Sequence, residues 1–146
     1  MEVVRATTER EREDAFAVRR EVFVEEQGVP EELEWDEYDE KSRTIHFVAY
    51  DDGDPVGAAR VRPKSEGVGK VERVATLEER RGEGIGRALM AAVEDAARTE
   101  YEKLVLHAQT HAESFYADLD YERVGEEFEE AGIPHVEMEK HLNRNQ

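Results

Sequence analysis

The chain has 146 residues, a length that predicts one domain able to bury its own hydrophobic core. Its 37 acidic and 20 basic residues give a formal net charge of −17, which repels nucleic acid and anionic lipid surfaces. It has no cysteine, so disulfides, cysteine-ligated zinc and thiol nucleophiles are excluded. No secretory signal opens the chain and no run is apolar enough to cross a membrane, so we expect a cytoplasmic protein.

The acidic residues are spread along the whole chain, and lysine is rare among the basic ones. This composition is typical of proteins from salt-loving organisms, in which dense carboxylates hold water while high salt screens their repulsion. The alternative is an acidic surface that attracts a cationic substrate. The even spread of the acids favours salt adaptation.

The first predicted elements are a strand and a helix. Residues 3–7 predict a short strand, and Thr8 is a candidate cap for the following helix. Apolar residues at helical spacing then run to Gly28-Val29-Pro30, which ends the helix. Residues 31–44 are acidic and predict a loop with a helical turn, held by two aromatic anchors, Trp35 and Tyr38.

Strands dominate the rest of the chain. The patterns predict strands at 45–50, 55–62, 70–76, 103–108, 122–126 and 135–140, and helices at 84–99 and 112–119. The predicted order is β-α-β-β-β-α-β-α-β-β. It mixes hairpins with strand–helix–strand crossovers, so we expect an α+β fold around one mixed sheet, in a single domain spanning residues 1–146.

A basic, glycine-spaced turn lies between the fourth strand and the next helix, with the sequence Arg80-Arg81-Gly82-Glu83-Gly84-Ile85-Gly86-Arg87. Free N–H groups at a helix start and close-approaching glycines predict a seat for a phosphate. The Walker loop is excluded because Arg87-Ala88 replaces its Lys-Ser or Lys-Thr pair. The dinucleotide fingerprint is excluded because these glycines are spaced by two. A glycine-rich helix start that binds nothing is the alternative.

The remaining pattern, Arg81-x-x-Gly84-x-Gly86, resembles the coenzyme A pyrophosphate loop of the Gcn5-related N-acetyltransferase (GNAT) superfamily. The predicted element order is also similar to that of the superfamily. Farther along, Ala112-x-x-Phe115-Tyr116-x-x-Leu119-Asp120-Tyr121 resembles its A-x-x-F-Y-x-x-x-G-F signature, with Asp120 in place of Gly and Tyr121 in place of Phe. Asp adopts left-handed backbone angles more readily than most residues, so the turn can form with Asp120 in place of glycine.

Three more segments are similar to the ElaA-like branch of that superfamily. One near the start is Val18-Arg19-x-x-Val22-Phe23-Val24-Glu25-Glu26-Gln27, and two near the end are Gly125-Glu126-x-Phe128 and Glu130-x-Gly132-Ile133-Pro134-His135-x-x-Met138. The resemblance covers residues 3 to 140.

The resemblance implies acetyl-CoA as co-substrate, with its pyrophosphate against the backbone N–H groups from Arg81 to Gly86. The side chains of Arg81 or Arg87 would add charge, Glu83 would point outward, and Arg80 would be a solvated surface residue. The strand at 74–76 would pair with the pantetheine arm, and an N–H near Val74 would polarise the thioester carbonyl. The expected cofactor-binding residues are Val74, Ala75, Thr76, Arg81, Gly82, Glu83, Gly84, Ile85, Gly86, Arg87 and Gln109, the last standing where an asparagine is common.

Tyr116 is the candidate general acid, because a phenol near sulfur can protonate the leaving thiolate. Glu72 is the candidate base, acting directly or through water. In a regular strand the side chains of Glu72 and Val74 lie on the same face of the sheet. The bulge common in this family would change which face each side chain occupies. The alternative bases are His107, His111 and His135. The histidines are too scattered to predict a metal site.

These expectations combine into an acetyl-CoA-dependent N-acetyltransferase that moves an acetyl group to the amine of a small molecule or peptide. The alternatives are a non-catalytic acyl-CoA-binding or sensing module and an interaction domain without cofactor. Residues 25–44 and 127–135 are expected to contact the unknown acceptor. No nucleic acid or membrane partner is expected, and the protein is predicted to be a monomer or homodimer.

Overall fold

Eight strands form one mixed sheet in the computed structural model, which describes residues 1–142. The strands are β1 (Glu2–Arg5), β2 (Ile45–Asp51), β3 (Asp54–Ser65), β4 (Val68–Thr76), β5 (Lys103–Gln109), β6 (Glu122–Arg123), β7 (Phe128–Glu130) and β8 (Ile133–His141). The helices are α1 (Glu9–Arg19), α2 (Glu31–Glu34), α3 (Ile85–Ala97) and α4 (Glu113–Ala117). A π-helical segment (Arg20–Glu26) extends α1, and short 3₁₀ turns cover Glu37–Glu40, Glu78–Arg80 and Thr110–Ala112.

The strand order across the sheet is β1-β2-β3-β4-β5-β8-β6, and β7 pairs with β8. Every neighbouring pair is antiparallel except β4 and β5, which are parallel. This arrangement confirms the predicted α+β fold with one mixed sheet.

Two hydrophobic clusters cover opposite faces of the sheet. Alternate residues of a strand point to opposite faces, and in β3 Ala58 belongs to one cluster while Ala59 belongs to the other. The helix α1 packs on the Ala58 face, and α3 packs on the opposite face through Ile85, Leu89 and Val93. The sheet is therefore a central layer between two helical layers.

Gly57 lets α3 approach the sheet closely. A Cβ at this position would lie 2.8 Å from Ile85 Cγ2 and 2.9 Å from Leu89 Cδ1. A larger residue would require the side chains of Ile85 and Leu89 to shift, so glycine here favours the close packing of α3 on β3.

The parallel pair β4–β5 separates partway along its length. Pairing runs from Val68 with Lys103 to Val71 with Leu106, and then stops. At this point Arg73 takes a φ of +59°, and the β3–β4 register shifts between Ala58 and Arg60. Such a bulge bends a strand away from its partner. The carboxyl-terminal halves of β4 and β5 therefore diverge.

The sequence predicted most element positions, with some differences at the ends. Thr8 caps α1 as expected and forms a capping box with Glu11. The predicted strand at 122–126 is only two residues long, and the sequence analysis missed β7. That strand is short and is joined to β8 by a tight turn at Ala131 and Gly132, which have positive φ.

Two aromatic anchors hold the acidic segment 31–44 as predicted. Trp35 packs edge-on against Phe16, and Tyr38 lies under the guanidinium of Arg62, 3.7 Å from ring centroid to Cζ. No helix in residues 1–142 is long and apolar enough to cross a membrane.

Candidate active site

The diverging strands open a cleft with a volume of ≈ 1190 Å³. Its walls come from β4, β5, the loop before α3, α4 and the helical segment after α1. Every residue predicted to bind the cofactor or to act in catalysis lines this cleft, with the exception of Glu83. The fold therefore brings residues that are far apart in sequence into one site.

The loop before α3 presents a row of backbone N–H groups. Gly82 and Gly84 have φ values of +82° and +87°, a left-handed conformation that favours glycine. Gly84 is the N-cap of α3, and no side chain caps this helix. Within residues 1–142 the N–H groups from Gly82 to Arg87 have no acceptor, and the first to bond is that of Ala88. This row, at the positive end of the helix dipole, fits phosphate oxygens.

Two arginines flank this row and differ in their partners. Arg81 donates to both carboxylate oxygens of Glu26 at 2.7 Å and to the Thr76 carbonyl at 3.1 Å. The hydrogen bonds between them raise the pKa of Arg81 and lower that of Glu26. Arg87 is exposed, and no residue in the described part of the chain pairs with its guanidinium. Arg87 can therefore bind a phosphate directly, whereas Arg81 must first release Glu26.

Arg80, which the sequence predicted to be a solvated surface residue, is partly exposed and is paired with two acidic residues. Its Nε donates to Glu83 at 3.1 Å and its guanidinium also bonds Asp51, beside the cleft. Glu83 points its side chain at Arg80, away from the row of N–H groups, as expected.

The strand segment Val74–Thr76 has one free backbone edge facing the cleft. The Leu77 N–H donates to Val56 of β3 at 3.1 Å. Because backbone groups alternate in direction along a strand, those of Val74 and Thr76 point the other way. On that side the Thr76 carbonyl accepts a hydrogen bond from Arg81 Nε, and β5 no longer pairs with β4. An extended ligand can add to this edge as a strand does.

Tyr116 lies on α4 opposite the glycine loop. It is 8% exposed, and its ring packs edge-on against Phe115 and Tyr121. Its hydroxyl has no hydrogen-bond partner within residues 1–142 and is not sealed from solvent, so it reaches the cleft. Burial raises the pKa of Tyr116, which keeps the phenol protonated. The residue is placed to donate a proton.

The two departures from the acetyltransferase signature have structural reasons. Asp120 takes a φ of +74°, the left-handed angle that glycine usually supplies. Tyr121 donates its hydroxyl to buried Glu94 at 2.9 Å, and Lys140 bonds the other carboxylate oxygen at 2.8 Å. A phenylalanine would leave that carboxylate with one partner fewer.

Glu72 lines the cleft but is held by cations. Its carboxylate accepts from Arg60 at 2.6 Å and from Arg62 at 2.8 Å, and Lys70 lies 3.3 Å away. Burial would raise its pKa, but the hydrogen bonds and charges of Arg62 and Arg60 outweigh burial and lower the pKa to about 2. This environment disfavours Glu72 as a proton acceptor near neutral pH. Its role as the base remains a prediction.

The bulge also changes how Glu72 and Val74 relate. The regular-strand expectation that they share one side is wrong here. Glu72 lies on the Ala58 face of the sheet with Arg60, whereas Val74 packs against the cluster beneath α3. The extra residue, Arg73, shifts the alternation by one.

Gln109 reaches across the cleft. Its Nε2 donates to Gln27 Oε1 at 2.9 Å, and its Oε1 lies 2.7 Å from His111 Nε2. Gln27 ends the helical segment after α1, so the amide pair links the two walls. The amide of Gln109 is thus in place to bond a ligand, provided that it releases these partners. Residues 1–142 contain no cluster of side chains that could hold a metal ion.

The geometry can be compared with known proteins. A family model described as an acetyltransferase (GNAT) domain matches residues 6–142. The chain belongs to the GNAT acetyltransferase family.

Relatives of this GNAT protein cover nearly its whole length. The Bacillus subtilis (strain 168) protein YjcF, whose name describes an uncharacterized N-acetyltransferase, is 46% identical over 96% of this chain and 99% of its own. The crystal structure of Escherichia coli ElaA shares 27% identity, with a TM-score of 0.85 over 96% of this chain and 99% of that one. An aminoglycoside 6'-N-acetyltransferase complexed with coenzyme A shares the fold, with a TM-score of 0.78 at 17% identity over 97% of both chains. The chain is an acyltransferase of the GNAT type.

Sequence reasoning missed an ionic network behind the GNAT cleft. Arg60 is fully buried and bonds Asp36, Asp39 and Glu72 with distances of 2.6 to 3.1 Å. Arg19, 1% exposed, holds Asp39 and the buried Glu34. One signal was available, since an arginine within the apolar run of β3 needs buried anionic partners.

Proposed function

We propose that this GNAT protein is an acetyl-CoA-dependent N-acetyltransferase that acetylates a primary amine of a small molecule or peptide. One observation carries the proposal: a single cleft holds both the row of unpaired N–H groups from Gly82 to Arg87 and the free hydroxyl of Tyr116. The first feature fits a pyrophosphate, and the second fits a leaving thiolate. The complex of coenzyme A with the aminoglycoside acetyltransferase of the same fold supports this occupant.

The residues present fit acetyl-CoA along the whole cleft. Backbone N–H groups and Arg87 would hold the pyrophosphate, and the free edge of Val74 and Thr76 would pair with the pantetheine arm. Gln109 would bond the same arm from the other wall. The Val74 N–H would polarise the thioester carbonyl, and Tyr116 would protonate the departing sulfur.

The acceptor would enter on the Ala58 face of the sheet. Apolar side chains of Phe23, Val29 and Leu33 form one rim of the cleft there, and Leu33 is 54% exposed. Glu130, His107 and His135 form the other rim. An amine attached to an apolar body suits this mixture, because the rims offer both apolar contact and acceptors for N–H groups.

Two measurements test the proposal. Calorimetry in high salt is expected to detect acetyl-CoA binding, and a thiol-release assay with a panel of small amines and peptides is expected to show acetyl transfer. Tight binding without turnover across the panel would favour a non-catalytic acyl-CoA-binding module. Failure to bind acetyl-CoA would overturn both the acetyltransferase proposal and the non-catalytic acyl-CoA-binding alternative.

A further inference from the structure

The five histidines of the chain differ in what their ring nitrogens touch. His107 is held between Glu130, 2.8 Å from Nδ1, and Glu137, 3.6 Å from Nε2, so both nitrogens face carboxylates. His111 is exposed and lies on the Gln109 amide. His46 is buried behind the ionic network and points Nε2 at the Asp39 carbonyl. His141 is exposed at the far end of β8.

His135 differs from all of these. Its Nδ1 lies 2.7 Å from the backbone carbonyl oxygen of Ile133. A carbonyl oxygen can only accept a hydrogen bond, so Nδ1 must carry a proton. In the neutral ring Nε2 is then the unprotonated nitrogen, with a lone pair free to take a proton.

The Nε2 atom of His135 faces the cleft. The residue is 7% exposed and lines the cleft, with its ring stacked on Phe128 at 6.1 Å between centroids. Within residues 1–142 no group bonds Nε2, yet this atom is not among those sealed from solvent. The ring is therefore fixed by packing and by the Ile133 carbonyl while its basic nitrogen stays open.

The position is on the acceptor side of the site. His135 pairs with Gln109 in the β5–β8 register, on the face opposite α3. Its neighbour Glu130 has a pKa lowered by a hydrogen bond from His107, with smaller contributions from His135 and Lys70. Lys70 lies on β4, and its Nζ is 3.3 Å from the carboxylate of Glu72 on the same strand.

We infer that His135 is the general base that deprotonates the acceptor amine through Nε2, directly or through one water molecule. The inference rests on the proposed acetyltransferase function and replaces Glu72, whose carboxylate is occupied by Arg60 and Arg62. Among the cleft histidines, His107 has a carboxylate beside each ring nitrogen and His111 is exposed, whereas the ring of His135 is fixed by packing and its Nε2 stays open.

The proposed reaction converts an acceptor ammonium and a thioester into an amide and a thiol. The acceptor ammonium gives one proton to Nε2, and the neutral amine attacks the thioester carbonyl carbon. A C–N bond forms, and the C–S bond breaks with its electron pair on sulfur. Tyr116 protonates the thiolate, and the second proton that nitrogen loses as the amide forms returns through water to the Tyr116 phenolate. His135 passes its proton to water. The products are an amide, a free thiol and one proton.

The first test measures the tautomer and needs no turnover. Nitrogen-15 imidazole spectra of the protein at about pH 8, assigned with a His135→Gln variant, are expected to show a protonated Nδ1 and an unprotonated Nε2 for His135. The opposite tautomer would overturn the inference.

The second test separates a base from a structural residue. His135→Gln is expected to lower kcat/KM by about 10²- to 10⁴-fold for strongly basic alkylamines, which must lose a proton. The loss should be much smaller for weakly basic amines that are already neutral, and acetyl-CoA binding should change by less than about 2-fold. Added imidazole should restore part of the activity of His135→Ala. His141→Gln is the matched control, because His141 is exposed at the far end of β8, and it should leave the acceptor dependence unchanged.

The outcomes distinguish this inference from the proposed function. Equal losses across the amine panel without imidazole rescue would overturn the base assignment and leave the acetyltransferase proposal standing. No turnover by the unmodified protein with any amine would overturn both.

Discussion

Arg81 and Glu26 join the two walls of the cleft through two hydrogen bonds of 2.7 Å. Arg81 belongs to the loop that offers its N–H groups to a phosphate, and Glu26 belongs to the helical segment after α1. The carboxylate thus holds the guanidinium that the sequence assigned to the pyrophosphate. A phosphate that takes over Arg81 must displace Glu26.

Glu26→Gln is therefore expected to tighten coenzyme A binding. The pair is partly exposed, and exposed ion pairs contribute about 0.2–1 kcal/mol, so the Kd should fall by about 1.5- to 5-fold. Calorimetry on both proteins measures this change. Glu25→Gln is the control, because Glu25 faces Arg20. Weaker binding by Glu26→Gln would contradict the idea and show that Glu26 orients Arg81.

Tyr116→Phe removes the hydroxyl and keeps the ring contacts with Phe115 and Tyr121. We expect kcat to fall by about 10- to 100-fold while acetyl-CoA affinity and the melting temperature stay close to those of the unmodified protein, because only the proton donor is lost. Thiol release under saturating acetyl-CoA measures kcat. A variant with full activity would remove the general-acid role.

The sequence was sufficient to predict the fold and to single out the glycine loop because both depend on local patterns. Hydrophobic periods placed the elements, and the spacing of Gly82, Gly84 and Gly86 marked the loop. A bulge has no such pattern. Arg73 adopts a φ of +59° at the bulge, and its guanidinium bonds the Glu34 carbonyl at 3.1 and 3.2 Å, in a segment 39 residues away along the chain.

The residues on the acceptor side of the cleft were harder to predict, because the charge of a side chain does not show which residues it pairs with in the fold. Glu72 has the right residue type for a base, but its partners Arg60 and Arg62 come from the neighbouring strand. His135 was one of three alternatives in the sequence. The fold separates it from His107, which has carboxylates beside both ring nitrogens, and from His111, which is exposed.

Arg60→Met is expected to destabilise the protein strongly. The substitution leaves Asp36, Asp39 and Glu72 close together without their shared cation. Removing one partner of a buried ionic group costs about 3–5 kcal/mol in the free energy of unfolding. Urea unfolding measures this loss. Arg62→Met, which removes a half-buried arginine that contacts Glu72 alone among these acids, should cost less, and equal losses would contradict the central role of Arg60.

Acid should destabilise the protein in a defined range of pH. Glu72 and Asp39 have pKa values of about 2 in the folded protein, against 4.5 and 3.8 as ordinary values, because arginine hydrogen bonds outweigh burial. Groups whose pKa falls on folding stabilise the protein above the unfolded pKa and lose that contribution as pH falls towards the folded pKa. The free energy of unfolding should therefore drop between about pH 4.5 and pH 2.

His46 should add to this loss at higher pH. Burial is the main cause that lowers its pKa from 6.5, so the unfolded chain takes up the proton first and stability declines once pH falls below 6.5. Urea unfolding at constant ionic strength measures both ranges. A free energy of unfolding that stays constant from pH 7 to pH 3 would contradict these assignments.

Salt should stabilise the folded protein. With a formal net charge of −17, the folded chain brings its carboxylates closer together than the unfolded chain does, and added ions screen their repulsion. The melting temperature in a potassium chloride series should rise. Because the Debye length falls to about 3 Å at 1 M, screening predicts that most of the rise occurs below that concentration. A rise that continues above 1 M would indicate adaptation to high salt beyond charge screening, as the composition suggests.

Sucrose at matched osmolality is the control, since it is excluded from the protein surface without screening charge. A melting temperature that is flat or falls with salt would show that repulsion does not limit the stability of this chain.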